Sequence, residues 1–155
     1  MEGKYSLPKD GGLIAGAVPR DIVHRFEKIP TSIFHNEREG ATYVVEKIIK
    51  SIKEYEQSNA INDEGDVAEP FVLGLSTGLT PLGVYRELVK RYRDGEVSFR
   101  NVEVFSIDEF YPITAADCQS RNYRIHSEFL NHIDIKPENI HLPNGTISME
   151  HISEY

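Results

Sequence analysis

Apolar positions recur along the chain at two periods. Val44, Val45, Ile48, Ile49, Ile52 and Tyr55 return at intervals of three and four, which predicts one amphipathic helix. Asn36 with Glu39 three residues later has the form of a reciprocal N-terminal cap and places the helix start there. Before it, KIPTSIF from Lys28 is a short β-branched run and reads as a strand. Further on, PFVLGL is continuously apolar, the pattern of a strand covered on both faces. Leu82, Tyr85, Leu88, Val89 and Tyr92 then mark the buried stripe of a helix that Gly95 stops. NVEVFSI is the next strand, Ser120 caps a helix carrying Phe129, Leu130 and Ile133 on one side, and NIHL is a short fourth strand. The order β-α-β-α-β-α-β predicts an α/β fold: a mainly parallel sheet flanked by helices, a Rossmann-like three-layer sandwich with right-handed crossovers.

The stretches between these elements are polar. SNAINDEGDVAEP is acidic, closed by a proline and reads as a solvated loop. Residues 1–27 read as an extension with one short helical turn at DIVHRF, and residues 28–155 as one α/β unit. SMEHISEY begins a further helix. At 155 residues and 39% hydrophobic, the chain suffices for one compact domain.

Charge and cysteine content narrow the functional classes. Lys and Arg number 17 against 25 for Asp and Glu, a formal net charge of −8, which argues against nucleic acid or an anionic membrane surface as the partner. An anionic ligand therefore has to be attracted by a local field. The lone Cys118 has no intrachain partner and no metal-ligand spacing. No apolar stretch approaches the ~20 residues of a membrane span, and the amino-terminal MEGKYSLPKDGG lacks signal-peptide order, so the expected location is the cytoplasm.

Two stretches carry chemistry. GLSTGLTP, Gly74 to Pro81, sits where a strand runs into a helix, the position at which ligands bind in open parallel sheets. Thr80 is expected to cap the helix, with Pro81 in its first position. The free N–H groups of the first turn and the hydroxyls of Ser76, Thr77 and Thr80 then suit an anion, and Gly74 and Gly78 permit close backbone approach. An ordinary strand-to-helix turn has the same residues. No Lys-Ser/Thr follows the last glycine and the spacing is not GxGxxG, so neither nucleotide-binding loop fits.

The strand NVEVFSI ends in Asp108-Glu109. If the two strands are neighbours, Asp108 opens onto the same crevice as the glycine turn. Surrounded by Phe105, Phe110 and Tyr111, it is expected to be partly desolvated and so tuned as a general base. Adjacent strand residues point to opposite faces, so one of Asp108 and Glu109 is expected to be structural. A solvated loop start has the same pattern, and a hard metal ion would need more ligands than this pair supplies. The six histidines are scattered, with no HxxxH pair.

VLGLSTGLTPLGVYRELV, GEVSFRNVEVFSIDEF, the Gln119-Ser120 pair and FLNHIDIKPENIHLPNG resemble, in that order and spacing, the glucosamine-6-phosphate deaminase (isomerising) family, over about Ile29 to Tyr155. That resemblance implies opening of glucosamine 6-phosphate, aldose-to-ketose isomerisation and release of ammonia to leave fructose 6-phosphate, with no cofactor. It implies a phosphate loop at Ser76, Thr77, Gly78, Leu79 and Thr80, and the enolisation base at Asp108, with Glu109 beside it. Leu79 stands where many members have a second glycine. The resemblance further implies that the ring-opening residues and the family's basic phosphate ligands lie beyond Tyr155, so that the chain is the amino-terminal part of a longer, homo-oligomeric enzyme and nearly inactive alone. A related 6-phosphogluconolactonase and a non-catalytic sugar-phosphate sensor are the alternative readings.

Overall fold

The computed structural model describes residues 13–14, 32–59, 69–148 and 150–151. In chain order its elements are β1 (Leu13–Ile14), β2 (Ser32–Ile33), α1 (Glu37–Ser58), β3 (Phe71–Leu75), α2 (Leu82–Arg93), β4 (Val102–Ser106), α3 (Arg121–Glu128) and β5 (Ile140–His141). Short 3-10 turns at Leu130–His132 and Pro137–Asn139 connect α3 to β5. Strands β3, β4 and β5 form a parallel sheet in that spatial order, as the alternation of strands and helices requires.

Helix α1 starts as its capping pattern demands. The Glu39 N–H donates to Asn36 Oδ1 at 2.9 Å, the Asn36 amide donates to Glu39 Oε1 at 2.9 Å, and the His35 N–H reaches Glu39 Oε2 at 3.3 Å. Helix α2 ends at Gly95, whose φ of +75° lets the chain reverse so that its own N–H and that of Glu96 bond back to Tyr92 and Arg91. All three described helices meet the sheet in one core. Val45, Ile49 and Ile52 of α1, Leu88 and Val89 of α2 and Ile125 of α3 pack with Leu75, Val102 and Val104. Phe99 and Phe129 join them edge to face at 5.3 Å, and Tyr85 stacks on Phe129 at 5.2 Å.

Four expectations change. In the described part of the run KIPTSIF, Ser32 and Ile33 stand outside the parallel sheet. They pair antiparallel with Ile14 and Leu13, in the segment read as an extension without strands. Two residues are too few to register as a periodic pattern, and with Ile33 58% exposed this ladder adds little to the core. Strand β3 is apolar throughout, but its burial alternates. Phe71, Leu73 and Leu75 face the core while Val72 remains 60% exposed, because the helices described here gather in one cluster. The third helix stops at Glu128. Phe129, at φ −139° and ψ −68°, leaves the helical path to fill the core, and the chain goes on as a 3-10 turn. Asp134 then pins that turn by accepting from the Phe99 N–H at 2.7 Å and the Ser98 hydroxyl at 2.6 Å. The fourth strand narrows to Ile140 and His141, paired with Val104 and Phe105. The helical turn at DIVHRF lies outside the described residues, as do most of the acidic loop and most of SMEHISEY.

Replacing Phe99 by Ala should lower the unfolding free energy in urea titrations by roughly 3–5 kcal/mol, against about 1 kcal/mol for Asn36→Ala.

Candidate active site

The register of the parallel sheet pairs Leu75 with Ser106, so β3 and β4 end side by side. The turn after β3 and the carboxylates after β4 therefore share one rim. Thr77 Oγ1 donates to Asp108 Oδ1 at 3.3 Å, which joins the two stretches singled out in the sequence.

Within the turn, Gly78 alone takes a left-handed backbone, at φ +115°, where a side chain would be strained. Leu79 keeps an ordinary backbone and turns its side chain to solvent, 74% exposed, so it does not crowd the rim. Thr80 is exposed and caps nothing. The residue at the cap of α2 is Pro81, one position earlier in the helix than expected, and no side chain caps it. From below, the Tyr85 hydroxyl donates to the Ser76 carbonyl and ties the turn to the core. Burial pushes the Tyr85 phenol up to about 12, with the bond to Ser76 pulling the other way.

Asp108 and Glu109 diverge, as adjacent residues at a strand end should. The Asp108 side chain is 51% exposed and lies against Arg121, whose Nε is 3.0 Å from Asp108 Oδ2. The expected enclosure by Phe105, Phe110 and Tyr111 is not found, since the carboxylate is half exposed and the three aromatic residues are themselves exposed. Glu109 turns the other way, into the start of α3. Its carboxylate accepts from the Ser120 hydroxyl at 2.6 Å, from the N–H groups of Arg121 at 3.0 Å and Asn122 at 2.9 Å, and from its neighbour Phe110 at 2.8 Å. Partial burial works against its charge, but the bonds from Ser120, Asn122, Arg121 and Phe110 outweigh it and hold the carboxyl below the usual range. A carboxylate on the unpaired N–H groups of a helix start is an electrostatic anchor.

Arg121 was not singled out in the sequence, yet it stands at the centre of the site. Its Nη1 donates to the Thr77 hydroxyl and its guanidinium covers the Phe110 ring at 4.5 Å. Nε is buried and close to Asp108, but its N–H is out of line for a hydrogen bond, so that contact is Coulombic. The signal was its place directly after the capping Ser120, on the helix that follows the acidic strand end. Gly145 was also overlooked as a support. A Cβ there would lie 2.6 Å from the Ile113 carbonyl oxygen and 2.7 Å from that of Phe110, so only glycine admits the loop that carries Phe110.

Other candidates fall away from this rim. Among the described residues there is no cluster of three or more His, Cys, Asp or Glu side chains able to hold a metal. His141 pairs with Glu103 at 2.6 Å, His132 with the Ser127 carbonyl at 2.8 Å, and Cys118 is exposed and unbonded. A groove of about 660 Å³ between α1 and α2 is lined by Glu37, Arg38, Arg86, Glu87 and Lys90 and includes no residue of the turn or the strand end. Its charges are mixed, and it lies apart from the rim. No described helix is long and apolar enough to cross a membrane.

The arrangement is that of a parallel α/β protein with a polar turn and an acid facing each other at the carboxyl ends of neighbouring strands. The chain belongs to the glucosamine-6-phosphate isomerase/6-phosphogluconolactonase family, whose model matches residues 35–155. It is 36% identical over 139 residues to a putative glucosamine-6-phosphate deaminase-like protein of Bacteroides thetaiotaomicron, covering 90% of this chain and 20% of that protein. It is 51% identical over 77 residues to the glucosamine-6-phosphate deaminase of Treponema denticola, covering 50% of this chain and 28% of the other. Among solved structures, a monomeric glucosamine-6-phosphate deaminase superimposes with a TM-score of 0.61 at 29% identity, over 73% of this chain and 42% of its own. The chain thus spans less than half the length of each of these relatives.

The Tyr85 phenol carries a sign-definite pH prediction. Its folded value is raised, so its contribution to stability is complete below pH 10 and is lost as pH rises from 10 to about 12. Alkaline melts should show a loss on the order of 2 kcal/mol across that window, and Tyr85→Phe should remove this part of the pH dependence.

Proposed function

We propose that the whole protein to which these residues belong converts glucosamine 6-phosphate and water to fructose 6-phosphate and ammonia. Asp108 is the base that takes the proton from carbon 2 and returns it to carbon 1. The turn Ser76, Thr77, Gly78, Leu79 and Thr80 receives the phosphate through its N–H groups and hydroxyls, and Glu109 positions the machinery by anchoring α3. The observation that carries this reading is the 3.3 Å contact between Thr77 and Asp108, which brings the turn and the acid to one rim. Support comes also from the names of the relatives reported above.

Physical chemistry gives each part its task. A half-exposed carboxylate at the strand end can meet a substrate carbon without a rearrangement of the backbone. The phosphate, remote from the reacting carbons, fixes the sugar, and that binding orients carbon 2 toward Asp108. Gly78 matters because its backbone conformation aims the turn at the rim.

The test is turnover by the full-length protein. Ammonia should be released from glucosamine 6-phosphate, and Asp108→Asn should lower kcat by about 10²–10⁴-fold while substrate binding is retained. Hydrolysis of a sugar lactone without ammonia, or binding with no turnover in the unaltered protein, would overturn the assignment.

A further inference from the structure

Arg121 reaches both halves of the site, and each half offers it a different partner. Its guanidinium lies against the Asp108 carboxylate, while its Nη1 bonds the Thr77 hydroxyl, and the same hydroxyl gives its proton to Asp108. In this closed triangle the carboxylate holds the two groups that an incoming phosphate would use. The hold is incomplete. The Nε–H is buried and makes no hydrogen bond despite its 3.0 Å approach to Asp108, so one donor of the planar fork stays unsatisfied. A guanidinium presents its donors in a geometry that matches phosphate oxygens two at a time.

The position of Arg121 is supported from behind. Glu109 holds the first N–H groups of α3, Phe110 lies under the guanidinium, and Gly145 lets the Phe110 loop close. Only the long side chain needs to move. An extended hexose phosphate keeps its phosphate several bonds away from carbon 2, so a guanidinium that turns its fork to the phosphate loosens its hold on Asp108.

We propose that Arg121 is a phosphate-recognising residue of this site, whose resting partner is Asp108, so that substrate phosphate and the Asp108 carboxylate compete for one guanidinium. This inference rests on the sugar-phosphate reading above and adds to it a specificity residue. Arrival of the phosphate then does two things at once: it binds the substrate and it withdraws the cation from the base. Sugars without a phosphate leave the ion pair in place.

The experiment is titration calorimetry of the full-length protein with inorganic phosphate, beside kinetics with glucosamine 6-phosphate. Arg121→Gln should weaken phosphate binding by roughly 10- to 100-fold, with Arg121→Lys, which keeps the charge but not the fork, falling between. Asp108→Asn should tighten phosphate binding by at least about 2-fold, and that gain should vanish in the double variant with Arg121→Gln. Equal phosphate affinity in Arg121→Gln and the unaltered protein, with matching melting curves, overturns the proposal. So does a gain from Asp108→Asn that survives intact in the double variant, which would mean simple charge repulsion. Phosphate affinity that tracks Arg121 in a protein releasing no ammonia sustains the role of Arg121 while removing the deaminase reading.

Discussion

The Glu109 carboxylate on the open end of α3 is the contact from which the rest of the site is hung. A strand end and a helix start meet there with opposite electrostatic needs: the helix has unpaired N–H groups, and the carboxylate needs donors once it is partly buried. Satisfying both fixes α3 against β4. That in turn fixes Arg121, the first residue of α3, over Phe110 and against Asp108 and Thr77. Loss of this anchor would displace the guanidinium without touching Asp108 or the turn at Gly78.

Beneath it lies the parallel pairing of β3 and β4. With Leu75 opposite Ser106, the two loops emerge at the same height, and residues 31 positions apart come within hydrogen-bonding distance. The core under them contains an aromatic cluster that extends to the turn itself, since Tyr85 both stacks on Phe129 and holds the Ser76 carbonyl. The polar turn is thus bolted to the buried core. Preorganisation of this kind is what a site needs to bind a charged group without ordering the chain at the moment of binding.

Much of this was legible along the chain. The capping pair Asn36 and Glu39, the stop at Gly95, the three parallel strands and the two loops at their carboxyl ends follow from local rules: a cap needs its acceptor three residues away, and a strand its run of apolar residues. Less legible were places where two distant segments choose one another. The short ladder of Leu13–Ile14 with Ser32–Ile33 has no periodic signature, and the exposure of Val72 depends on where the helices gather rather than on its own strand. Thr80 has the right chemistry for a cap, yet the helix begins one residue too late for its side chain to serve.

By itself the sequence determined the strands of the parallel sheet and the helices between them, that Asp108 and Glu109 must diverge, and that the turn at Gly78 has the donors an anion requires. Each of these depends on residues within one turn or one pleat of each other. Only the tertiary structure decided that Glu109 is the anchor, that Asp108 is open to solvent instead of walled by aromatic rings, and that Arg121 joins the two loops. Those outcomes are set by side chains brought together across the sheet and helix ends, where charge satisfies charge at distances of about 3 Å that no spacing along the chain records.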